Sequence, residues 1–523
     1  MAGEEDSRTD TGGGTIELAV DDIIEDHVGS FGLMQVVQVL LLSIARVFDS
    51  QITLVTIFSD AQPSWKCTGC SPDQDTSSSS TGMCGIKDGD WKWVGGDKSS
   101  TVSEWGLICD RKFRAGLPAS MFFIGCIIGS GVLGRLADTF LGRKKAVVLT
   151  CLMTSVTAFL TSLSPNIWVY AGFRFLGGFS RAGVGICSLV LSTETVGRKW
   201  RGQVGQCGFF FFTMGFLSLP LVAYPTRTSW RKLYRILSLP PLLYSLLVLP
   251  FLSESPRWLA IRGRREEALR ILKNYAKWNG NKMPTNVTIK PPLPPPSSSS
   301  TSENIWTTRW AARRMVLIMT TAFGIGLVYY GIQLNVENLN FNLYLTVAIN
   351  ALMEIPAVFF GGLFLSFMNR RVLFSSMAVM SAIACAVCIR FKGGNDEKEK
   401  KHSWPQMASE AVGFMAASTA YNVLYIYCVE LFPTNVRNFA VSMLRQALML
   451  GAAIAPELVV LGRVSPSSLF IIFAAFSLLS AFPTIWLPET RNSPLYETLD
   501  QQHKAENPER HQELVEITST TSS

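Results

Sequence analysis

The sequence predicts an all-α membrane protein with twelve transmembrane helices in two six-helix bundles. Of its 523 residues 48% are hydrophobic and 16% are charged, and the apolar residues are collected in long stretches. A helix needs about 20 such residues to cross the hydrocarbon core of a bilayer. Twelve stretches meet this length, at residues 31–58, 114–137, 146–164, 167–192, 203–223, 234–252, 315–332, 341–367, 372–391, 405–430, 438–462 and 467–487.

The charge distribution gives the expected topology. Residues 1–30 are acidic and polar and lack the features of a signal peptide, so we expect the first stretch to be retained. With the N-terminus in the cytoplasm, the cytoplasmic connections hold most Lys and Arg residues, as the positive-inside rule requires. Two loops on the opposite side, 224–235 and 392–403, break the rule, and acidic neighbours offset only the second. The net charge of +8 therefore indicates topology and not nucleic acid binding.

The cysteines fall into two groups. Seven of the eleven lie in spans, whereas Cys67, Cys70, Cys84 and Cys109 share the long loop between the first two spans. Four cysteines in one non-cytosolic loop predict two disulfides, whose connectivity the sequence does not fix. The Cys67-x-x-Cys70 spacing is also typical of a zinc or redox pair, but the loop holds no histidine, so we favour disulfides.

The chain divides near its midpoint. A proline block at 291–296 followed by serines is typical of a stiff and then flexible linker, and six spans lie on either side of it. The predicted organisation is an acidic cytoplasmic tail at 1–30, an N-terminal bundle at 31–252 that includes a non-cytoplasmic cysteine loop at 59–113, a cytoplasmic linker at 253–312, a C-terminal bundle at 313–488 and a cytoplasmic tail at 489–523.

The two halves echo each other in two motifs. One follows spans four and ten, and the other follows spans six and twelve. The matching segments are Glu194–Arg198 with Glu430–Arg437, and Glu254–Arg257 with Pro488–Arg491. Parallel half-repeats joined by a linker are the layout of carriers that rock two bundles about a site at the membrane midplane. The repeat therefore favours a transporter.

The connection between spans two and three reads GRLADTFLGRKK, at 134–145. It resembles the loop signature of the major facilitator superfamily, with Leu141 as an extra residue before the second glycine. The resemblance implies a gating motif, formed by Asp138, Gly142 and Arg143. In the superfamily the acid contacts the start of span eleven and helps to hold one face shut, which suits a carboxylate near a helix N-terminus. The counterpart in the second half is degenerate, with Ser366 for the acid and Asn369 for the glycine.

Further stretches narrow the resemblance to the organic cation/carnitine transporters. They are Asp21–Gly32, Glu254–Leu259, Tyr330–Val336 with Glu354–Pro356, and Glu430–Asn438. The resemblance covers nearly the whole chain, and the sequence at 58–67 resembles that of the plant members of this family. Sugar porters share the motifs after spans six and twelve, so the stretches in spans seven and eight are the specific part. The resemblance implies alternating-access transport of organic cations or zwitterions such as carnitine, with or without a coupled proton.

Glu354 is a charged residue in the middle of an apolar stretch. On a helix its own stripe holds small and polar residues, namely Val347, Asn350, Ala351, Ala357, Val358 and Gly361. The opposite stripe holds Ile349, Leu352, Phe359 and Leu363. Small residues line helix interfaces in membranes, so the pattern predicts that Glu354 points into the bundle. It is either a structural carboxylate bonded to a neighbouring helix or a site for an ammonium group or a proton.

Arg445 also shares its helix face with small and polar residues. In animal relatives a charged residue in this span helps to select substrate charge, but that position falls on Met449, one turn further along. Arg445 is therefore either a substrate residue or half of a helix-packing ion pair, and with Glu354 it offers both partners that carnitine needs. Glu457 lies in a mostly apolar stripe near the outer end of the span, where snorkelling or pairing with Arg463 is the better interpretation.

Other polar and aromatic residues in spans are candidates for the substrate or ion pathway. Arg46 and Asp49 are three residues apart and are expected to pair, with proton coupling at Asp49 as the alternative. Arg174 resembles the superfamily's span-four arginine, and the face of Arg181 is ambiguous. Aromatic rings suit an organic cation, and the rings available are those of Tyr329, Tyr330, Tyr421 and Tyr425, with ordinary packing as the alternative.

The leading interpretation is a secondary transporter of organic cations or zwitterions in the plasma or vacuolar membrane. A sugar or polyol porter would not need Glu354 with Arg445, and a transport-inactive membrane sensor would not need an intact gating motif. An enzyme is not expected, because no span holds a histidine and the sequence shows neither a metal cluster nor a Gly-x-x-x-x-Gly-Lys loop. We expect no metal and no cofactor; the expected partners are the substrate, the bilayer and a proton or other coupling ion.

Overall fold

The computed structural model describes residues 16–68, 84, 90–284, 286–290, 305–339, 341–391, 404–491, 496 and 498–506. Contacts between Cα atoms divide the chain into two compact units. The first holds Met1–Lys66, Lys92–Gly106 and Ile124–Pro295, and the second holds Cys67–Trp91, Leu107–Phe123 and Pro296–Ser523. The loop that we predict at 59–113 is thus shared between the units. The predicted limits of the two bundles remain predictions.

Six long helices run through the first unit. They are α2 (Leu33–Leu54), α5 (Leu117–Leu136, from Ile124 onward in this unit), α6 (Arg143–Thr161), α7 (Ile167–Glu194), α8 (Arg201–Ala223) and α9 (Trp230–Leu247). The side chain of Asn166 caps α7, because its Oδ1 accepts the backbone N–H groups of Trp168 and Val169. A Cβ at Gly125 would lie 2.1 Å from the carbonyl oxygen of Phe175, so glycine is needed where α5 meets α7.

Six long helices also form the second unit. They are α12 (Arg309–Leu334), α13 (Leu343–Phe367), α14 (Arg370–Arg390), α15 (Trp404–Leu431), α16 (Thr434–Gly462) and α17 (Pro466–Ala481), followed by α18 (Leu499–Glu506). Asn342 caps α13 by accepting the N–H groups of Tyr344 and Leu345. At Gly326 a Cβ would lie 2.4 Å from the carbonyl oxygen of Leu448, so α12 and α16 meet backbone to backbone there.

Within the described residues, eleven helical stretches are long and apolar enough to cross a membrane. They coincide with eleven of the twelve predicted spans to within a few residues. The remaining predicted span, 234–252, corresponds to α9. Its first two turns carry Arg231, Lys232 and Arg235, which make α9 more polar than the other spans.

The unexplained basic loop at 224–235 has a structural reason. Arg231 forms an ion pair with Glu104 at 2.7 Å and donates to the backbone oxygens of Ser162 and Ser164. Glu104 lies on the short loop helix α4 (Thr101–Trp105), and its carboxylate also accepts the indole N–H of Trp230. Arg231 therefore fixes the loop between the first two spans, which outweighs the topological preference for placing arginine in the cytoplasm.

The loop between the first two spans also contains the helical turn α3 (Thr56–Ser59) and the short strands β2 (Trp65–Cys67) and β3 (Trp91–Trp93). A disulfide joins Cys84 to Cys109. Cys67 is disulfide-bonded as well, whereas Cys70 lies outside the described residues. The seven cysteines of the spans are free thiols.

The N-terminal segment folds together with the central linker, which the prediction of a plain tail at 1–30 did not include. Strand β1 (Ile16–Leu18) pairs in parallel with β4 (Val287–Ile289). After β1 follow α1 (Val20–Ile23) and a π-helical turn (Ile24–Val28), and before β4 come α10 (Pro256–Ile261) and α11 (Arg265–Trp278). The apolar face of α11 buries Leu272 and Tyr275 against Ile23, Ile24 and Val28. We call this group of elements the linker subdomain.

Candidate substrate and ion site

Glu354 lies on α13 with its side chain buried, 7% exposed. Its carboxylate Oε1 accepts a hydrogen bond of 2.6 Å from the hydroxyl of Tyr329 on α12. The stripe of small residues around Glu354 is buried, whereas Leu352 and Phe359 on the opposite side are exposed. The structure thus gives Glu354 the inward direction predicted from its helix face.

Tyr329 connects this carboxylate to an aromatic cluster. The ring of Tyr329 stacks on that of Tyr421 with centroids 4.7 Å apart, and Tyr421 lies 5.4 Å from Tyr425. Tyr330 contacts Tyr329 at 5.0 Å. The sequence did not single out Phe414, which stacks on Tyr329 at 5.5 Å, although its position seven residues before Tyr421 puts both on one face of α15. A carboxylate joined in this way to a group of aromatic rings is a setting that suits an organic cation.

Arg445 lies half-buried on α16. Among the described residues it forms no ion pair, so the helix-packing pair that the sequence left open is not seen. Arg463 instead pairs with Glu337 at 2.8 Å. Glu457 packs against Gly116, where an added Cβ would lie 3.0 Å from its carboxylate. Arg445 is therefore a half-buried cation of the second unit.

Glu410 is a second buried acid of the second unit, and the sequence analysis did not identify it. It lies on α15 with 2% of its surface exposed, and its Oε1 accepts a hydrogen bond of 3.2 Å from Asn350 Nδ2 on α13. Asn350 is fully buried and lies four residues before Glu354, one helical turn away. Glu410 stands six residues into its span, next to a charged loop, and a glutamate there looks like an interfacial residue in the sequence.

Asp49 lies in an ion-pair network of the first unit. The predicted bond from Arg46 is present at 2.7 Å, and Arg181 Nε also donates to the Asp49 carboxylate. Arg181, whose face was ambiguous in the sequence, is therefore directed into the bundle. Two guanidinium groups compensate one buried carboxylate, which favours a structural role for Asp49.

Arg174 is buried and donates from Nη1 to the carbonyl oxygen of Ile52 at 2.9 Å. One turn before it on α7, the hydroxyl of Tyr170 donates to Asp60 at 2.8 Å. Asp60 follows α3 and also accepts hydrogen bonds from Thr101 and Ser59. Burial raises the pKa of the Asp60 carboxyl to about 6, against the lowering effect of the Tyr170 hydroxyl and the Arg174 guanidinium. Arg174 thus belongs to a polar cluster with Asp60.

The predicted gating motif has a defined geometry. Asp138 forms an ion pair with Arg143 at 2.9 Å, and Arg143 also pairs with Glu194 at 3.3 Å. Gly142 has a φ of 81° and lies against Glu254, whose Oε1 accepts the N–H groups of Arg143 and the following residue at the start of α6. A positive φ at this position favours glycine. Residues Ala137–Leu141 form a π-helical turn, which accommodates the extra residue in the loop signature.

The degenerate counterpart retains the same polar network. Arg370 pairs with Glu430 at 3.0 Å. Glu489 accepts the N–H groups of Arg370 at 2.9 Å and of Arg371 at 3.2 Å, at the start of α14. Arg370, Glu430 and Glu489 thus repeat the arrangement of the arginine and two glutamates in the first half. The second half lacks the acid and the glycine of the loop, but it has the charged residues that join the helix ends.

Comparison with known proteins identifies the family. Residues 72–500 match the family model described as "Sugar (and other) transporter". The chain is 43% identical to organic cation/carnitine transporter 2 of Arabidopsis thaliana, over 92% of this chain and 94% of the relative. The chain belongs to the organic cation/carnitine transporter family. Organic cation/carnitine transporter 2 of Homo sapiens is 32% identical to this family member, over 77% of this chain and 72% of the human protein.

Solved structures show the fold of this family member. The D-xylose-proton symporter matches it with a TM-score of 0.60 at 14% identity, over 88% of this chain and all of the symporter chain. The inward-open xylose transporter XylE of E. coli matches with a TM-score of 0.59 at 15% identity, over 88% of this chain and 97% of XylE. The transporter is therefore a multi-pass membrane protein with the major facilitator fold, as the sequence predicted.

Proposed function

We propose that this protein carries organic cations or zwitterions such as carnitine across the plasma or vacuolar membrane by alternating access, with a proton as the coupling ion. The observation that carries the proposal is the buried Glu354 carboxylate beside the ring cluster of Tyr329, Tyr421 and Tyr330. The relatives named as organic cation/carnitine transporters support the same substrate class.

The chemistry of the site favours a cationic substrate. A charged side chain in the middle of a span costs roughly 2.5 to 3.5 kcal/mol on insertion scales, so an ionised Glu354 gains most from a positive partner. The hydroxyl of Tyr329 donates a hydrogen bond to the Glu354 carboxylate and leaves its negative charge in place. Ring faces add up to about 2 kcal/mol for each desolvated cation–π contact. An ammonium group fits this combination because it compensates the charge of the carboxylate, whereas an uncharged sugar could only donate hydrogen bonds to it.

Arg445 extends the proposal to zwitterions. Carnitine carries a quaternary ammonium and a carboxylate, and these need partners of opposite charge. A guanidinium group binds a carboxylate through two parallel hydrogen bonds. In the second unit Glu354 supplies a negatively charged side chain and Arg445 a positively charged one. We assign the ammonium group to Glu354 and the carboxylate to Arg445.

The two charge networks suit the gating step. In each half an arginine at the start of a helix joins glutamates from two other segments, through Arg143 in the first unit and Arg370 in the second. Such partly exposed pairs break and form again at modest cost, because each is worth little more than about 1 kcal/mol.

Uptake of labelled carnitine and of tetraethylammonium tests the proposal in cells that express the wild type or Glu354→Gln. We expect wild-type uptake of at least one of these compounds and a loss of about 30-fold or more in the variant, since losing one desolvated charge partner costs about 2 kcal/mol or more. Glu457→Gln in the same unit is the matched control. Full activity of Glu354→Gln at every pH would contradict the role of Glu354, and xylose uptake in place of cation uptake would favour the sugar porter.

A further inference from the structure

Glu410 and Asn350 form a buried polar pair that the cation site does not use. Both side chains are almost completely buried, and a single hydrogen bond of 3.2 Å joins them. Within the described residues, Glu410 Oε2 and Asn350 Oδ1 have no hydrogen-bond partner. Native proteins rarely leave two such oxygens unpaired inside the fold, so the pair calls for a functional reason.

Among the described residues, no positive charge compensates the Glu410 carboxylate. In the part of the chain that the structure describes, no Lys, Arg or His nitrogen lies within 4.0 Å of its carboxylate. From α14 the thiols of Cys385 and Cys388 lie close enough to interact with it. From α13 the facing polar group is the uncharged amide of Asn350, with Glu354 one turn away. On its own helix Ser409 directly precedes it, and Gln406 lies one turn before it, with a backbone carbonyl oxygen that accepts from Cys388.

An ionised carboxylate is expensive in this environment. One amide N–H cannot replace the hydration shell that the carboxylate loses on burial, and thiols are weak donors. Binding one proton removes the charge and turns Oε2 into a hydroxyl that can donate. Asp49 shows the contrast, because there two arginines compensate the charge of the buried acid.

We propose that Glu410 is the residue that binds and releases the coupling proton, and that Asn350 connects it to the cation site at Glu354. The inference rests on the proposed function. A hydronium ion gives one proton to the Glu410 carboxylate and leaves as water, and the reverse step restores the carboxylate. Sodium fits poorly, because it takes several oxygen ligands, and Asn350 turns its N–H group towards Glu410.

The connection to Glu354 gives the proton a consequence for the substrate. Asn350 and Glu354 stand on one face of α13, and α15 carries both Glu410 and Tyr421 of the cation site. Ionisation of Glu410 adds a negative charge beside Asn350, which lies one helical turn from Glu354, and so strengthens the attraction of the Glu354 site for a cation. Proton binding weakens that attraction. Cation affinity should therefore rise with pH as Glu410 loses its proton.

The test uses purified full-length protein in liposomes, with the membrane potential clamped by valinomycin and equal potassium on both sides. A carrier that moves one proton per substrate sustains a concentration ratio of about tenfold for each unit of pH gradient. Glutamine has the shape of the protonated acid, so Glu410→Gln should fold, should still exchange labelled for unlabelled tetraethylammonium, and should reduce the accumulation ratio to one. Glu457→Gln, a half-buried glutamate elsewhere in the same unit, should accumulate substrate like the wild type.

The outcomes separate the two proposals. A wild type that exchanges no cation overturns the proposed function and this inference together. A wild type that exchanges cations, with Glu410→Gln still accumulating them along a pH gradient, overturns only the role of Glu410. Accumulation that follows a sodium gradient and ignores pH also overturns it.

A binding measurement gives an independent readout. Tetraethylammonium affinity, followed by thermal stabilisation in detergent between pH 5 and pH 8, should change with pH in the wild type and stay constant in Glu410→Gln. Glu410→Asp, which keeps the acid but shortens its reach, should shift the midpoint of this change without abolishing it. The same pH dependence in wild type and Glu410→Gln would exclude Glu410 as the proton site.

Discussion

The hydroxyl of Tyr329 donates to Glu354 Oε1 over 2.6 Å and so joins the seventh span to the eighth. The same ring stacks on Tyr421 of the tenth span. The side chain of Tyr329 therefore orients the carboxylate and also belongs to the aromatic cluster. In this arrangement the acid and the aromatic surface are held in a fixed relation before a substrate arrives.

Replacing Tyr329 with Phe should weaken cation transport without unfolding the protein. The ring and its stacking on Tyr421 remain, but Glu354 loses the hydrogen bond that orients it. A hydrogen bond to a charged group contributes about 1.5 to 3 kcal/mol, so we expect a rise in KM of about tenfold. Initial rates of tetraethylammonium uptake measure this. Tyr427→Phe is the control, because its hydroxyl donates to Pro488 outside the site; an equal effect in both variants would remove the special role of Tyr329.

Arg445→Ala should separate zwitterions from plain cations. Carnitine loses the partner of its carboxylate, whereas tetraethylammonium has no carboxylate to lose. We expect carnitine uptake to fall by about tenfold or more and tetraethylammonium uptake by less than about twofold. Arg445→Lys keeps the charge and should recover part of the carnitine uptake. Equal losses for both substrates would show that Arg445 supports helix packing.

The ion pair between Arg370 and Glu430 should contribute to stability as a pair. Its side chains are 17% and 22% exposed, so we expect a coupling of about 1 kcal/mol between Arg370→Gln and Glu430→Gln in a double-mutant cycle. Thermal unfolding in detergent measures it. The control is the exposed pair of Arg264 and Glu267, which should show no measurable coupling. Strictly additive effects at 370 and 430 would mean that the pair does not act as a unit.

Asp60 should make the stability of the fold depend on pH. Its pKa is about 6 in the folded protein, against an ordinary value of 3.8. Because the folded value is raised, the stabilisation is complete below about pH 4 and is lost as the pH rises through 6, a difference of about 3 kcal/mol. We expect the melting temperature of the wild type to fall over this range relative to that of Asp60→Asn. Parallel profiles for the two proteins would contradict the assignment.

The sequence located Glu354 because several local signals agree there. A charge stands in the middle of a span, and the helix period puts small residues on its side and bulky residues on the other. Arg445 was found by the same reasoning. Glu410 escaped it because it lies near the end of its span, where acids are common, and because its burial depends on helices far away in the sequence.

The linker subdomain shows a different limit. The apolar face of α11 is visible in the sequence. Its partners Ile23 and Ile24, however, lie among acidic residues about 250 positions earlier in the sequence. Their pairing has no local signature, since it depends on a parallel contact between β1 and β4. The charge networks could be predicted in part. The repeated motifs show in the sequence which glutamates correspond, and only the structure shows that each forms an ion pair with an arginine.

The pairing of Ile16 with Val287 has a consequence for biosynthesis. The partner strand leaves the ribosome about 270 residues later, which at about 5 to 20 residues per second is an interval of roughly 15 to 55 s. During that time the six spans between the two strands enter the membrane. The strand β1 thus stays without its partner during this time, and it can pair with β4 only after the N-terminal half of the chain has been synthesised.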